Sequence, residues 1–558
     1  MDLGSPRRRI TIVAADKGAT VCAARCAALL CDSLAAQLYA LGSSHACSNQ
    51  KVFTPFQRLL RSLGSFCIRY GRYTEHVRFE AAMLRMIQLL LWRNSCPWPR
   101  VRSLVLLVAT TAAIGCRDVG IRIPTTTTIL PPAAGGEAFE PSIAIDPGNP
   151  ARLLVAAMYG VPFARGGTGI WVWRSSDGGR SWTDGPLEPP RMPGVDVTPT
   201  FAADPITAFA RDGSPLLASK ADAPPLGGTF LSRFGGDIPS VTSVPVYRNF
   251  VDSLAGHRVL HDKPWLVVDH GERSPYRGSI YLSVGAVTAG LGPAGVNVNW
   301  TLLGSQQLLS FSRDSGRTFS SPTLVADSSA FGGYLAVGPT GSLEISYIRI
   351  KNRDGAGDAV FHRRSTDGGV TFEPPVTVVA MRSDTLLELP VVAARPNGDL
   401  MACWSQGVRT DERSNEVRCA VRKSGAAWSA PFSIESALSP DVVPAWPAIV
   451  GTERGWYLML YLVGATRTEV SLFRSNALGA FSKIATLSVM DGLGADRFCV
   501  ASATPCRRTR KDAFAIGDYV ALTANGGRLA AAYVLPRTSG APNEGAAIYV
   551  TTLAEPPR

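Results

Sequence analysis

The chain has 558 residues, enough for two to four average domains or one large repeat architecture, and its 46% hydrophobic content allows a sizeable core. The formal net charge of +12 invites a nucleic-acid reading, but the basic residues are unevenly placed. Residues 1–116 hold 15 of the 56 Lys and Arg and 5 of the 44 Asp and Glu, which leaves the remainder at only +2, so no nucleic-acid partner is expected.

In chain order, residues 1–82 carry five scattered cysteines and no repeat pattern, and are read as an overlong start or an unstructured extension without assigned function. Residues 83–116 end in "VRSLVLLVATTAAIGC": basic residues, an apolar run from Leu104 to Ile114, then small residues. That run is too short to span a membrane as a mature helix. It fits a signal peptide, with a short anchor or core helix as the alternative. The closing "AIGC" resembles a bacterial lipobox, with Cys116 as the lipidated residue. The expectation is an exported protein of the cell envelope that meets the membrane only through a lipid anchor.

Past Cys116, four cysteines remain. Cys403 and Cys419 lie on successive apolar runs and suit a hairpin staple, and Cys499 with Cys506 would close a small loop. Four free buried thiols are the alternative.

After residue 140 one pattern recurs: an apolar strand, a Gly- or Pro-containing turn, and a second apolar strand. It occurs in "SIAIDPGNPARLLVAAM" (142–158), "DPITAFARDGSPLLAS" (204–219) and "KPWLVVDHGERSPYRGSIYLSVGA" (263–286). It returns in "YLAVGPTGSLEISYI" (334–348), "LPVVAARPNGDLMACW" (389–404), "PAIVGTERGWYLMLYL" (447–462) and "YVALTANGGRLAAAYV" (519–534). Seven copies without helical periodicity between them predict an all-β fold, a β-propeller of four-stranded blades over 117–558, with six blades as the alternative count. The first two strands of each blade are placed nearest the axis. Lone strands at "IRIPTTTTIL" (121–130) and "AAIYVTTL" (546–553) can complete a shared last blade, which would close the ring and remove exposed sheet edges.

A second pattern, S-x-D-x-G-x-[ST]-[WF], occurs three times, at "SSDGGRSW" (175–182), "SRDSGRTF" (312–319) and "STDGGVTF" (365–372). Its position after a third strand predicts a hairpin turn between strands three and four. There Asp177, Asp314 and Asp367 would accept turn N–H groups, and Ser175, Ser312 and Ser365 would bond the same turn. Gly179, Gly316 and Gly369 would permit φ > 0, and Trp182, Phe319 and Phe372 would pack beneath the turn. Degenerate copies, "KSGAAW" (423–428) with Lys423 at the Asp position and "RSNALGAF" (474–481), point to scaffold. One Asp per turn offers too few oxygen ligands for a metal, and no metal or cofactor is expected.

This motif resembles the Asp box, or BNR repeat, of the sialidase superfamily, over nearly all of residues 140–553. The resemblance implies a β-propeller and, in the enzymes, exo-glycosidase chemistry on terminal sialic acid. There three arginines hold the substrate carboxylate, a Tyr–Glu pair is the nucleophile and an Asp the acid/base, with the Asp boxes away from the site. The family's first arginine stands in an R-I-P motif, and Arg122-Ile123-Pro124 matches it in sequence, although Glu140-Pro141 occupies the expected place before the first blade strand.

Functional residues in propellers come from the axis-facing ends of inner strands. Three such places are polar or aromatic here: "HDKPW" (261–265), "LLELP" (386–390) and "AIGDY" (515–519). Asp262, Glu388, Asp518 and Tyr519 are the candidate catalytic groups for glycoside cleavage, and Lys263, Trp265 and Arg122 the candidate substrate-binding groups. Strand caps that bond turn amides are the alternative. The cationic loop "CRRTRK" (506–511) could attract an acidic glycan. His257 and His261 lie outside any helical pattern and are not read as a metal pair. The expected partner is a glycan or glycoconjugate, bound by a monomer, in a divergent sialidase-like hydrolase or in a non-catalytic glycan- or protein-binding propeller.

Overall fold

The computed structural model describes residues 125–557 apart from short internal segments, the longest of them 499–515. The described chain is a seven-bladed β-propeller of antiparallel sheets. The innermost strands of blades I to IV are Glu137–Asp146, Phe201–Phe209, His257–Val268 and Ala330–Val337. Blade V begins with a broken strand, Thr385–Leu387 and Val391–Ala394, and blades VI and VII with Val443–Thr452 and Ala521–Asn525. Each innermost strand packs against the next, and Ala521–Asn525 packs against Glu137–Asp146, so the ring closes. The six-blade alternative is thereby corrected to seven.

Closure also runs through hydrogen bonds. Thr125–Leu130 is the outermost strand of blade VII, paired antiparallel with Ala546–Ala554, in register from Thr125 opposite Leu553 to Leu130 opposite Ile548. The two ends of the propeller therefore share one sheet. The core lies between blades, because a twisted sheet must bury both faces against its neighbours. The cluster spanning blades VI, VII and I holds Tyr457, Tyr461, Trp173 and Ala530–Ala532 with almost no exposure. In blade V, Cys403 and Cys419 face each other in register on adjacent strands and are joined by a disulfide. Cys116, Arg122, Cys499, Cys506 and the loop 506–511 lie outside the described residues.

The three S-x-D-x-G motifs are turns between third and fourth strands: Thr168–Ser175 to Thr183–Leu187, Val298–Ser312 to Thr323–Ala326, and Gly357–Ser365 to Val376–Ala380. In the first, Ser175 Oγ donates to Asp177 Oδ1 at 2.9 Å, and the amides of Arg180 and Ser181 donate to the same oxygen at 2.9 Å each. The Gly179 amide donates to Ser175 Oγ at 2.8 Å, with Gly179 at φ +89°. The other two turns repeat the pattern around Asp314 and Asp367. The side-chain oxygens of Ser175 and Asp177 are all engaged by their own turn. Although slight burial works against it, the bonds from Ser181, Ser175 and Arg180 bring the Asp177 carboxyl down to about 2. These turns sit at the end of the ring where innermost strands finish. The opposite end, where innermost strands begin, is the axial mouth.

Candidate functional site

The mouth is organised by one irregularity repeated around the ring. Pairing between first and second strands shifts between Phe139 and Ser142, Ala203 and Ile206, Asp262 and Trp265, Phe331 and Tyr334, and Ala445 and Ala448. In blade V the same place is the gap between Leu387 and Val391. Each of these is a β-bulge or break, a device that re-aims a side chain. At the bulge, Glu140, Asp204, Lys263 and Trp446 have φ of +53°, +53°, +50° and +55°. A left-handed conformation costs a residue with a Cβ about 1–2 kcal/mol, and such strain gathers at functional sites. Proline follows each of these four residues, at 141, 205, 264 and 447, and the same x-Pro pair occurs at Leu389-Pro390. Pro has no N–H to lose from the interrupted ladder.

Glycine takes the bulge position in blade IV, Gly332 at φ +67°, and in blade VII Gly517, at φ +97°, stands just ahead of the first strand. Each makes room for a neighbouring blade. A Cβ on Gly332 would lie 2.2 Å from Leu389 Cδ2, and one on Gly517 would lie 2.1 Å from Glu140 Cγ.

The bulges bring charged groups from blades I, II, III and VII together. Lys263 Nζ lies 2.9 Å from Asp204 Oδ1 and 3.8 Å from Glu140 Oε1, and also pairs with Asp518. Lys220, opposite Ala203 on the second strand of blade II, lies 2.7 Å from Asp262 Oδ1 and 3.7 Å from Asp204 Oδ2. The Asp518 amide donates to Glu140 Oε1 at 3.1 Å. Two ammonium groups thus serve four carboxyl groups. Asp262 and Asp518 keep about a quarter of their side-chain surface, 23% and 25%, while Glu140 and Asp204 are buried.

The surroundings drive the acids apart. Burial opposes ionisation of Asp262, but the Lys220 and Lys263 ammonium groups outweigh it and hold the carboxyl far below the usual range. Burial of Glu140 outweighs its more distant lysine, and the charges of Asp518 and Asp204 add to it, so Glu140 is pushed well above the usual range. Its Oε2 is buried without a hydrogen-bond partner. Both lysines stay charged, because their acidic neighbours more than offset desolvation.

Of the residues singled out from sequence, Asp262, Lys263 and Asp518 are joined in this network. Trp265 packs on Tyr334 with ring centroids 3.8 Å apart and the planes tilted by 33°, and meets Tyr519 edge-on at 6.3 Å. The Tyr519 hydroxyl is buried and donates to the Pro205 carbonyl at 3.2 Å, and burial pushes it far above its ordinary value. Glu388 is buried at the blade V break, in the register that Asp262 holds in blade III, with its amide donating to the Ser405 carbonyl at 3.1 Å. His261 is buried against Asn249, with burial lowering its ring to about 4. Among the described residues no group of three or more His, Cys, Asp or Glu is placed to hold a metal ion.

Sequence reading passed over Glu140, Asp204 and Lys220 as site groups. The x-Pro pair at the start of the innermost strand was the available signal for the first two. For Lys220 it was a lone cation in the apolar run "PLLASKADA".

No protein-family model and no curated protein matches the chain. Among solved structures it is similar to the α-L-arabinofuranosidase Arb93A from Fusarium graminearum, at 14% identity and TM-score 0.38, over 76% of this chain and 96% of that one. A second is a polysaccharide lyase, the ulvan lyase of family PL25, at 12% identity and TM-score 0.45, over 77% of this chain and 96% of that one. A third is the NanB sialidase from Streptococcus pneumoniae, at 10% identity and TM-score 0.38, over 75% of this chain and 68% of that one.

Proposed function

We propose that the chain is a glycan-directed propeller working at its axial mouth, as a divergent glycoside hydrolase of the sialidase-like type. The observation that carries this reading is two carboxyl groups in one network with opposite surroundings, Glu140 buried with Oε2 unpartnered and so driven upward, and Asp262 held 2.7 Å from the Lys220 ammonium and so driven downward. Paired acids tuned apart are what glycosidic cleavage requires, one holding a proton at neutral pH and one staying ionised. In this scheme Glu140 holds the proton, Asp262 stays ionised to stabilise the cationic transition state, and Asp518 reaches solvent beside them. Lys220 and Lys263 position the carboxyl groups. Trp265 and Tyr334 form an aromatic wall, with Tyr519 as a support whose hydroxyl is already committed. Glu388 supplies a further carboxyl from blade V. Export and lipidation at Cys116 belong to the same proposal, and would place the mouth in the periplasm or at the cell surface.

The Lys263 contacts favour a second reading. Its ammonium is occupied by Asp204, Asp518 and Glu140, as in a propeller that binds a glycan without cleaving it. A panel of fluorogenic glycosides, including sialosides and pentofuranosides, separates the two. Turnover that is lost in Asp262→Asn and Glu140→Gln proteins of unchanged fold supports hydrolysis. No turnover on any member by folded wild-type protein overturns it, and a glycan array then tests binding.

A further inference from the structure

At the opposite end of the ring from the mouth, blades III, IV and V line an open cavity of about 230 Å³. Its floor is Glu344, buried and bonded through Oε2 to Nε2 of the equally buried His362 at 2.9 Å. Arg364 Nε lies 3.2 Å from Glu344 Oε1, and Arg422 Nη1 lies 3.9 Å from Oε2. This carboxylate saturates neither guanidinium: Arg364 Nε is buried without a hydrogen bond, and Arg422, whose Nε donates to the Ala426 carbonyl at 3.0 Å, keeps its Nη1 3.9 Å from Glu344, longer than a hydrogen bond. Arg273 and Lys423 complete the lining and have no protein partner among the described residues. The cavity thus gathers four cations around one carboxylate that its own wall already engages.

The position of these cations has a local cause. Aligned on Gly425 and Trp428, blade V carries Lys423 where three other blades carry the turn aspartate. Arg422 stands opposite Leu400, the register that Ser365 holds opposite Leu343 in blade IV. Backbone bonds close this turn instead, from the Ala426 amide to Lys423 O at 2.9 Å and from the Ser429 amide to Val421 O at 2.8 Å. The Ser–Asp pair that consumes its own charge elsewhere is replaced by two side chains that face the cavity. Gly425, at φ +76°, has open space where a Cβ would stand.

We infer that this cavity is a binding site for an oxyanionic group, the sulfate or carboxylate of an acidic sugar residue or the free oxyanion itself. Guanidinium forks match the geometry of such groups. The lining hydroxyl of Ser424 suits one of its remaining oxygens. The volume lies below the range of about 300–1,000 Å³ for drug-sized ligands, so one small group fits and an oligosaccharide does not. The inference is independent of the chemistry proposed at the mouth.

Calorimetric titration of the full chain with sodium sulfate and with sodium glucuronate, in about 150 mM NaCl to screen diffuse attraction, tests it. The expected result is saturable binding of at least one of them with a Kd of about 1 mM or tighter. Sulfate alone would mark a sulfate or sulfate-ester site, and glucuronate alone a uronate site. The double variant Arg273→Gln, Lys423→Gln removes no side-chain hydrogen bond or ion pair among the described residues and should melt like the parent, yet bind about tenfold more weakly or worse, while Asp262→Asn at the mouth leaves the Kd unchanged. No saturation by either anion up to about 20 mM, or an unchanged Kd in the double variant, overturns the inference.

Discussion

Replacing Lys263 with methionine removes the cation shared by Glu140, Asp204 and Asp518 and leaves Lys220 alone among the buried acids. The side chain is only 14% exposed, so solvent screens the loss weakly. Deleting one partner of a buried pair costs about 3–5 kcal/mol. For a propeller of this size the unfolding entropy is roughly 0.9 kcal/mol per kelvin, so melting at pH 7.5 should fall by about 3–5 °C. The pH dependence gives the sharper test. Asp262 is a depressed carboxyl, so its stabilisation is present above the unfolded value of about 3.9 and is lost as pH falls through its lower folded value. Without Lys263 that depression shrinks, and the crowded carboxyls take up protons at higher pH, which relieves their repulsion. The gap between parent and variant should therefore narrow from pH 7.5 to about pH 4.5. Thermal melts across that range are the assay. A gap below about 1 kcal/mol at pH 7.5, or one of constant size, would refute the idea of a lysine neutralising buried acids.

Three further outcomes follow from the same structure. Gly517→Ala places a Cβ against Glu140 at a positive φ, and should cost at least about 2 kcal/mol in denaturant titration. Asp177→Asn should lose about 1–2 kcal/mol at neutral pH with unchanged ligand binding at the mouth. Because Asp177 is depressed to about 2, that difference should fade as pH drops toward that value. Reducing the disulfide, which joins cysteines 16 residues apart, should cost about 3 kcal/mol on chain-entropy grounds, and melting with and without a reductant checks it.

The repeat was legible because each blade needs the same apolar strand pair and the same tight turns, and those requirements write a period into the chain. The Asp-box turns could be read residue by residue, since every bond in them is local, from Ser175 to Trp182. The mouth was legible only in part. Asp262, Lys263 and Asp518 drew notice as polar residues at strand starts, yet their meaning depends on partners more than 40 positions away, such as Lys220 for Asp262. Tyr519 shows the limit from the other side. A tyrosine beside an aspartate looks reactive in sequence, but its hydroxyl is bound to the Pro205 carbonyl across the ring. In the sequence Glu140 is only the residue before Pro141, because nothing local to it reveals that burial leaves one of its oxygens without a partner.

The pairing of Thr125–Leu130 with Ala546–Ala554 bears on how the molecule is made. Synthesis supplies the outermost strand of the last blade first and its partner last. Bringing together residues about 420 positions apart carries a loop-closure cost of about 5 kcal/mol, roughly twice that of a hairpin-sized loop. That cost is offset only if most blades have already stacked and shortened the effective loop. The blades should therefore accumulate as an open arc, with the latch engaging as the final event. Until then the Thr125–Leu130 strand presents an unpaired edge to whatever chain lies nearby.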